Sequence, residues 1–239
     1  MSLVLPSNNQ NNQPKKNISC LDRDKRILRT IEEYGVLETE QIRLLLFRHG
    51  FKNVESGRRK TQERLLALYR REKVHRWAAD APLTKPAYIY SLEAKKGRDA
   101  HRLDVNWVRL WFTLPARRWR YHKVYNFHYE QDFGFLRADG LVGLNNYVTK
   151  KNLFFFVEMD RSPRNVFDKV PKYTRLMEEK GYGDRWWVRL TDSFPDVLVV
   201  TTSEARKKEI ELVIQEQNKA GLVFEVRLLD DIKREVLTS

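Results

Sequence analysis

A chain of 239 residues with 41% hydrophobic content is long enough to bury one large core or two small ones. Its single cysteine, Cys20, leaves neither an intramolecular disulfide nor a cysteine zinc site, and no apolar run approaches the roughly 20 residues of a membrane span. A secreted disulfide scaffold and a helical membrane protein are thereby excluded, and a globular protein of a reducing cytoplasm is expected.

The formal charge of +13 is unevenly placed. Residues 1–130 carry 27 Lys and Arg against 14 Asp and Glu, whereas residues 131–239 carry 18 of each. All the excess lies in the first part, so that part is expected to meet a polyanion and the second to do something else.

In chain order, residues 1–20 are Asn- and Gln-rich and read as a disordered leader rather than a secretory signal. From Asp22, Ile27, Leu28, Ile31 and Tyr34 recur at the spacing of one helix face, and Gly35 offers a stop. Thr39 reads as the N-cap of a second, short helix carrying Ile42, Leu45 and Leu46, with His49-Gly50 at its end. A third helix is expected from Ser56 to about Lys73, with Leu65, Leu68 and Tyr69 facing inward. Its start is basic and polar: Arg58, Arg59, Lys60, Thr61 and Gln62, then Arg64. Those six side chains are the expected DNA contacts, since a basic helix N-terminus after two short apolar helices is how a helix-turn-helix presents its recognition helix. Strands at Val74–Trp77 and Ala87–Leu92, separated by the turn residues Asp80 to Pro86, would form a wing. Residues 21–92 are therefore expected to be a winged-helix DNA-binding domain.

Residues 93–120 read as a linker built on a helix around 103–112, in which Trp107 and Trp111 anchor the core. Arg117, Arg118 and Arg120 close this segment as a second expected contact to a DNA backbone. Beyond it, residues 121–239 alternate as an α/β domain. Strands are expected at Phe133–Leu136, Gly140–Leu144, Asn152–Met159, Asp196–Thr202 and Phe224–Leu229, with helices at Asn165–Lys180 and Ser203–Lys219. The strand at 152–159 poses a question. Alternate side chains share a face, so Glu158 and Asp160 project together out of a run otherwise apolar enough to be buried. Unpaired burial would be costly, so they need cations, hydrogen-bond donors or a metal. With Asp139 beside them they would make three hard oxygen ligands of the kind Mg²⁺ or Mn²⁺ takes.

The series of winged helix, linker helix, Asp139-Gly140 hairpin, strand Phe155-Phe-Val-Glu158-Met-Asp160-Arg161, helix with Lys169 and Tyr173, and Phe194-Pro-Asp-Val-Leu-Val-Val-Thr201 resembles the replication-relaxation proteins of Gram-positive plasmids and integrative elements. The likeness spans residues 22 to about 210. It implies plasmid replication or DNA relaxation at an origin-like duplex site, and a C-terminal half similar to the PD-(D/E)xK nuclease fold. The implied partners are double-stranded DNA, a second copy in a homodimer, and replication or conjugation proteins, with no membrane. Asp139 stands at the Asp position of that pattern and Ala138 replaces the preceding Pro. Glu158 stands at the acidic position of the triplet, but Asp160 stands where the pattern has Lys. Two outcomes stay open. Arg161, although it points to the opposite face, or, better placed, Lys169 could supply the missing cation, the latter making Asp139, Glu158, Asp160 and Lys169 the catalytic set of a Mg²⁺- or Mn²⁺-dependent nicking enzyme. Otherwise the domain is an inactive relative in a replication initiator or regulator, with a C-terminal domain for dimerisation or partner contact. A tyrosine relaxase finds no support, because no His-x-His pair exists and His122 and His128 lie six residues apart.

Overall fold

The computed structural model describes residues 20–78, 88–94, 99–114, 119–161 and 166–238. Of the leader expected over residues 1–20, all but Cys20, which starts a helix, lies outside the described residues, as do the expected turn residues Asp80 to Pro86 and the expected contacts Arg117 and Arg118. The chain is an α+β protein with helices packed on one antiparallel and one mixed sheet.

The first part contains α1 (Cys20–Tyr34), β1 (Val36–Glu38), α2 (Thr39–Leu46), α3 (Val54–Arg70), β2 (His75–Ala78) and β3 (Tyr88–Ser91). β3 lies between β1 and β2, antiparallel to both. Two helix starts differ from expectation. The chain enters α2 straight from β1, so the cap falls on Glu38, whose N–H donates to Gln41 Oε1 at 3.1 Å, while Thr39 donates its hydroxyl to Tyr88 O. α3 is capped by Asn53, which accepts the Ser56 N–H at 2.8 Å, with the Ser56 hydroxyl returning the contact.

α4 (Asp99–Thr113) leads to β4 (His122–Asp132), β5 (Arg137–Asn146), β6 (Asn152–Asp160), α5 (Lys169–Glu178), a short 3-10 helix (Trp186–Leu190), β7 (Asp196–Thr201), α6 (Glu204–Gln217), β8 (Phe224–Leu228) and α7 (Leu229–Thr238). The strands lie in the order β4-β5-β6-β7-β8, antiparallel from β4 to β6 and parallel from β6 to β8. The strand expected at Phe133–Leu136 is instead the turn joining β4 to β5. Gly134 takes a left-handed backbone there and gives its N–H to Asp132 Oδ1 at 2.7 Å. The edge strand β4 was not expected, and neither was α7.

Two apolar clusters pack the two faces of the large sheet. Phe155, Val157 and Met159 of β6 face α4, α7 and, in one continuous cluster, Ile27, Ile31, Leu65 and Leu68 of the first three helices. Phe154 and Phe156 face Val170, Tyr173, Trp187 and Ile210 on the other side. Strand alternation thus puts Glu158 on the face toward α5 and α6. Polar side chains fix α4 to its surroundings. Asn106, fully buried, donates to Val36 O at 2.5 Å and accepts the Tyr129 hydroxyl at 2.6 Å, and Gln41 donates to Leu103 O at 3.0 Å.

Candidate functional site

Glu158 is buried near the end of β6, where α5 crosses the sheet. Lys169 and Tyr173 stand one helical turn apart on α5 and reach the same carboxylate. The Tyr173 hydroxyl donates to Oε1 at 2.7 Å and the Lys169 ammonium lies 2.8 Å from Oε2. Lys169 also donates to Arg137 O at 2.9 Å, which ties it to β5. Burial pushes the Glu158 carboxyl up to about 7 against the pull of Lys169, and the nearby charge of Asp139 adds to the rise. The Tyr173 hydroxyl is raised well above its ordinary value by burial and by Glu158.

Asp139 sits where β5 and β6 part. The last backbone pair there is Gly140 with Val157, and beyond it the Asp139 side chain takes over, its Oδ2 accepting the Met159 N–H at 2.7 Å. Its Oδ1 is 2.9 Å from Nε2 of His101, on the first turn of α4. That hydrogen bond raises the His101 pKa, with burial opposing. His101 and Asp139 line a cavity of about 830 Å³ shared with Ser91, Arg102, Glu130 and Arg137.

The third carboxylate belongs to a different contact. Asp160 shares the face of Glu158, but its Oδ2 meets Arg206 of α6 at 2.7 and 3.3 Å, and Arg206 also bonds Glu209 at 2.8 Å. Arg161 points to the opposite face, toward Asp104 of α4 at 3.2 Å. The three acidic residues are therefore spread over separate contacts to α4, α5 and α6. As arranged, the donors do not fit a divalent cation. Both Glu158 oxygens face a cation or a hydroxyl donor, and both Asp139 oxygens are hydrogen-bonded. Among the described residues, no group of three or more His, Cys, Asp or Glu side chains is placed to hold a metal.

On α3 the expected DNA contacts divide. Thr61 and Arg64 are corrections: both are buried, and neither faces solvent. The Thr61 hydroxyl donates to Gly57 O at 2.9 Å, and Arg64 forms a two-pronged pair with Asp24 of α1, its Nε 2.9 Å from Oδ1. The reason is helical spacing: Thr61 and Arg64 each lie four residues before an inward leucine, Leu65 and Leu68. Arg58 is drawn to Glu55 at 2.9 Å and Glu40 at 3.6 Å, and Lys60 to Glu63 at 2.7 Å, all at the surface. Arg59 and Gln62 are exposed. Arg120 is exposed just before β4.

His101 was missed by the sequence reading, because its partner lies 38 residues away and no local pattern joins them. Comparisons with family models, curated proteins and solved structures find no match for this chain. No helix among the described residues is long and apolar enough to cross a membrane.

Proposed function

We propose that the chain is a duplex DNA-binding protein of a mobile element, acting as a replication initiator or regulator. In this reading residues 21–92 are a winged helix, with β2 and β3 as its wing, and the second part is a PD-(D/E)xK-like domain whose acidic centre is closed by Lys169. The observation that carries the DNA contact is the solvent edge of α3, where Arg58, Arg59, Lys60 and Gln62 follow one another on a capped helix start. The charge excess of the first part supports it. Changing Arg58, Arg59 and Lys60 together to alanine is expected to weaken binding to an origin-bearing duplex. The plot of log affinity against log salt should flatten by about 1 per lost phosphate contact. An unchanged slope in a fluorescence-anisotropy titration would remove α3 from the interface.

The Lys169–Glu158 pair, together with the separate engagement of Asp160, favours a binding role for the second part over cutting. Supercoiled origin plasmid incubated with the protein and Mg²⁺ or Mn²⁺ is expected to stay supercoiled. Nicked circles that disappear with Glu158→Ala would establish the nicking enzyme instead.

A further inference from the structure

At one end of the large sheet, four aromatic side chains keep a large part of their rings in solvent, two of them, Tyr125 and Trp186, resting edge-on against the buried Phe154. Tyr121 is 50% exposed, Tyr147 49%, Tyr125 40% and Trp186 37%. The backbone gathers them. The β5–β6 hairpin docks on the start of β4, with Tyr147 N–H donating to Tyr121 O at 3.0 Å and the Tyr147 hydroxyl to Arg120 O at 2.6 Å. The 3-10 helix is held to the same end by Asn152, which donates to Leu190 O at 2.9 Å. Tyr121 meets Tyr147 edge-on at 6.1 Å between ring centres, and Tyr125 meets Trp186 edge-on at 6.3 Å. Tyr125 lies directly over Gly143, where a Cβ would come within 2.7 Å of its ring, so the backbone itself sets its position.

The charge here is mainly positive, with exposed Asp184 and Asp192 flanking the 3-10 helix. Arg120, Lys123, Lys150, Lys151 and Arg189 are all exposed at this end. The segments that build it, 119–129, 140–157 and 185–191, contain no Asp or Glu. Exposed rings between cations match unpaired bases on a phosphate backbone: every base has a face to stack, and the cations follow the chain. A duplex keeps its base faces inside the stack, and an acidic protein would need the cations but not the rings.

We propose that this end of the sheet binds single-stranded nucleic acid, stacking bases on Tyr121, Tyr125, Tyr147 and Trp186 while the surrounding cations meet the phosphates. The surface is separate from the duplex contact on α3, and neither proposal depends on the other.

The test is a fluorescence-anisotropy titration of the full chain with a labelled oligodeoxythymidylate of about 12 nucleotides, within the usual site size for stacking surfaces. An oligouridylate and a blunt duplex run in parallel. The oligodeoxythymidylate is expected to bind and to quench tryptophan emission. Trp186→Ala with Tyr125→Ala should weaken it by about tenfold or more, leaving the duplex titration unchanged. Lys150→Glu with Lys151→Glu, on a surface hairpin where folding is not at stake, should weaken it too and reduce its salt dependence. Equal binding of oligouridylate extends the site to RNA, and weaker binding assigns it to DNA. The proposal is overturned if the wild-type chain does not bind the oligodeoxythymidylate, if the hairpin variant binds it like wild type, or if both variants lose duplex binding in the same proportion.

Discussion

Arg64→Ala is expected to cost about 3–5 kcal/mol of folding stability, the usual penalty for removing one member of a buried ion pair. Asp24 and Arg64 are both buried between α1 and α3 and hold each other through two hydrogen bonds. Without the guanidinium, the cation left beside the Asp24 carboxylate among the described residues is Arg71, an exposed side chain 3.6 Å away. Against a typical total of about 5–15 kcal/mol this is a large loss. Urea unfolding followed by circular dichroism should show the midpoint fall at unchanged slope. Replacing both partners with apolar residues, Asp24→Leu with Arg64→Met, should recover most of it, because no charge is then left buried. If Arg64→Ala were as stable as wild type and failed only in DNA binding, Arg64 would be a reader of DNA and not a tie between helices.

The second large effect is a pH dependence centred on Glu158. Its carboxyl titrates at about 7 in the folded chain against 4.5 in the reference state, so between those values the fold holds a proton that the unfolded chain has released. Stability from this group is therefore fully present below about 4.5 and is lost as pH rises through 7. The gap corresponds to about 3 kcal/mol. Glu38 and Asp104, also raised by burial, act in the same direction. His101, raised by Asp139, does so only above its ordinary 6.5. The difference between wild type and Glu158→Gln isolates the Glu158 share, since the amide can still accept from Tyr173 and Lys169 keeps Arg137 O. Thermal unfolding at pH 5 and pH 8 should show a marked drop for wild type and a shallower one for the variant. Parallel profiles would show that Glu158 is already ionised at pH 5.

What could be read in the sequence follows the range of each interaction. Period-two alternation placed Glu158 on the face of Phe154 and Phe156, and the four-residue step from Lys169 to Tyr173 put both on one side of a helix. Their meeting at Glu158 needed only the expectation that the helix packs over the sheet. The same helical arithmetic applied backward from Leu65 and Leu68 points Thr61 and Arg64 inward, but their polarity suggested an outward face. A buried arginine is legible only once its partner on another helix is known. β4 was hidden because a bulge between Val124 and Asn126 breaks its alternation and because polar and aromatic residues dominate it. α7 carries Leu229, Ile232 and Val236 at helical steps, yet it follows β8 with no intervening loop to announce a change of element. The link from His101 to Asp139, and the turn of Asp160 toward Arg206 instead of toward Glu158, depend on how whole elements dock.

The apolar cluster that runs without a break from Ile27 and Leu65 through α4 to Val157 and Leu198 has an energetic consequence for everything the molecule binds. Elements that share one core are expected to melt together, and the basic helix and the acidic centre should then belong to a single folding equilibrium. Any ligand that binds the folded chain alone, at whatever surface, then stabilises the whole of it by RT ln(1 + L/Kd), where L is the free ligand concentration. Proton uptake at Glu158 enters the same equilibrium, so heat resistance would report occupancy at sites far apart in the sequence.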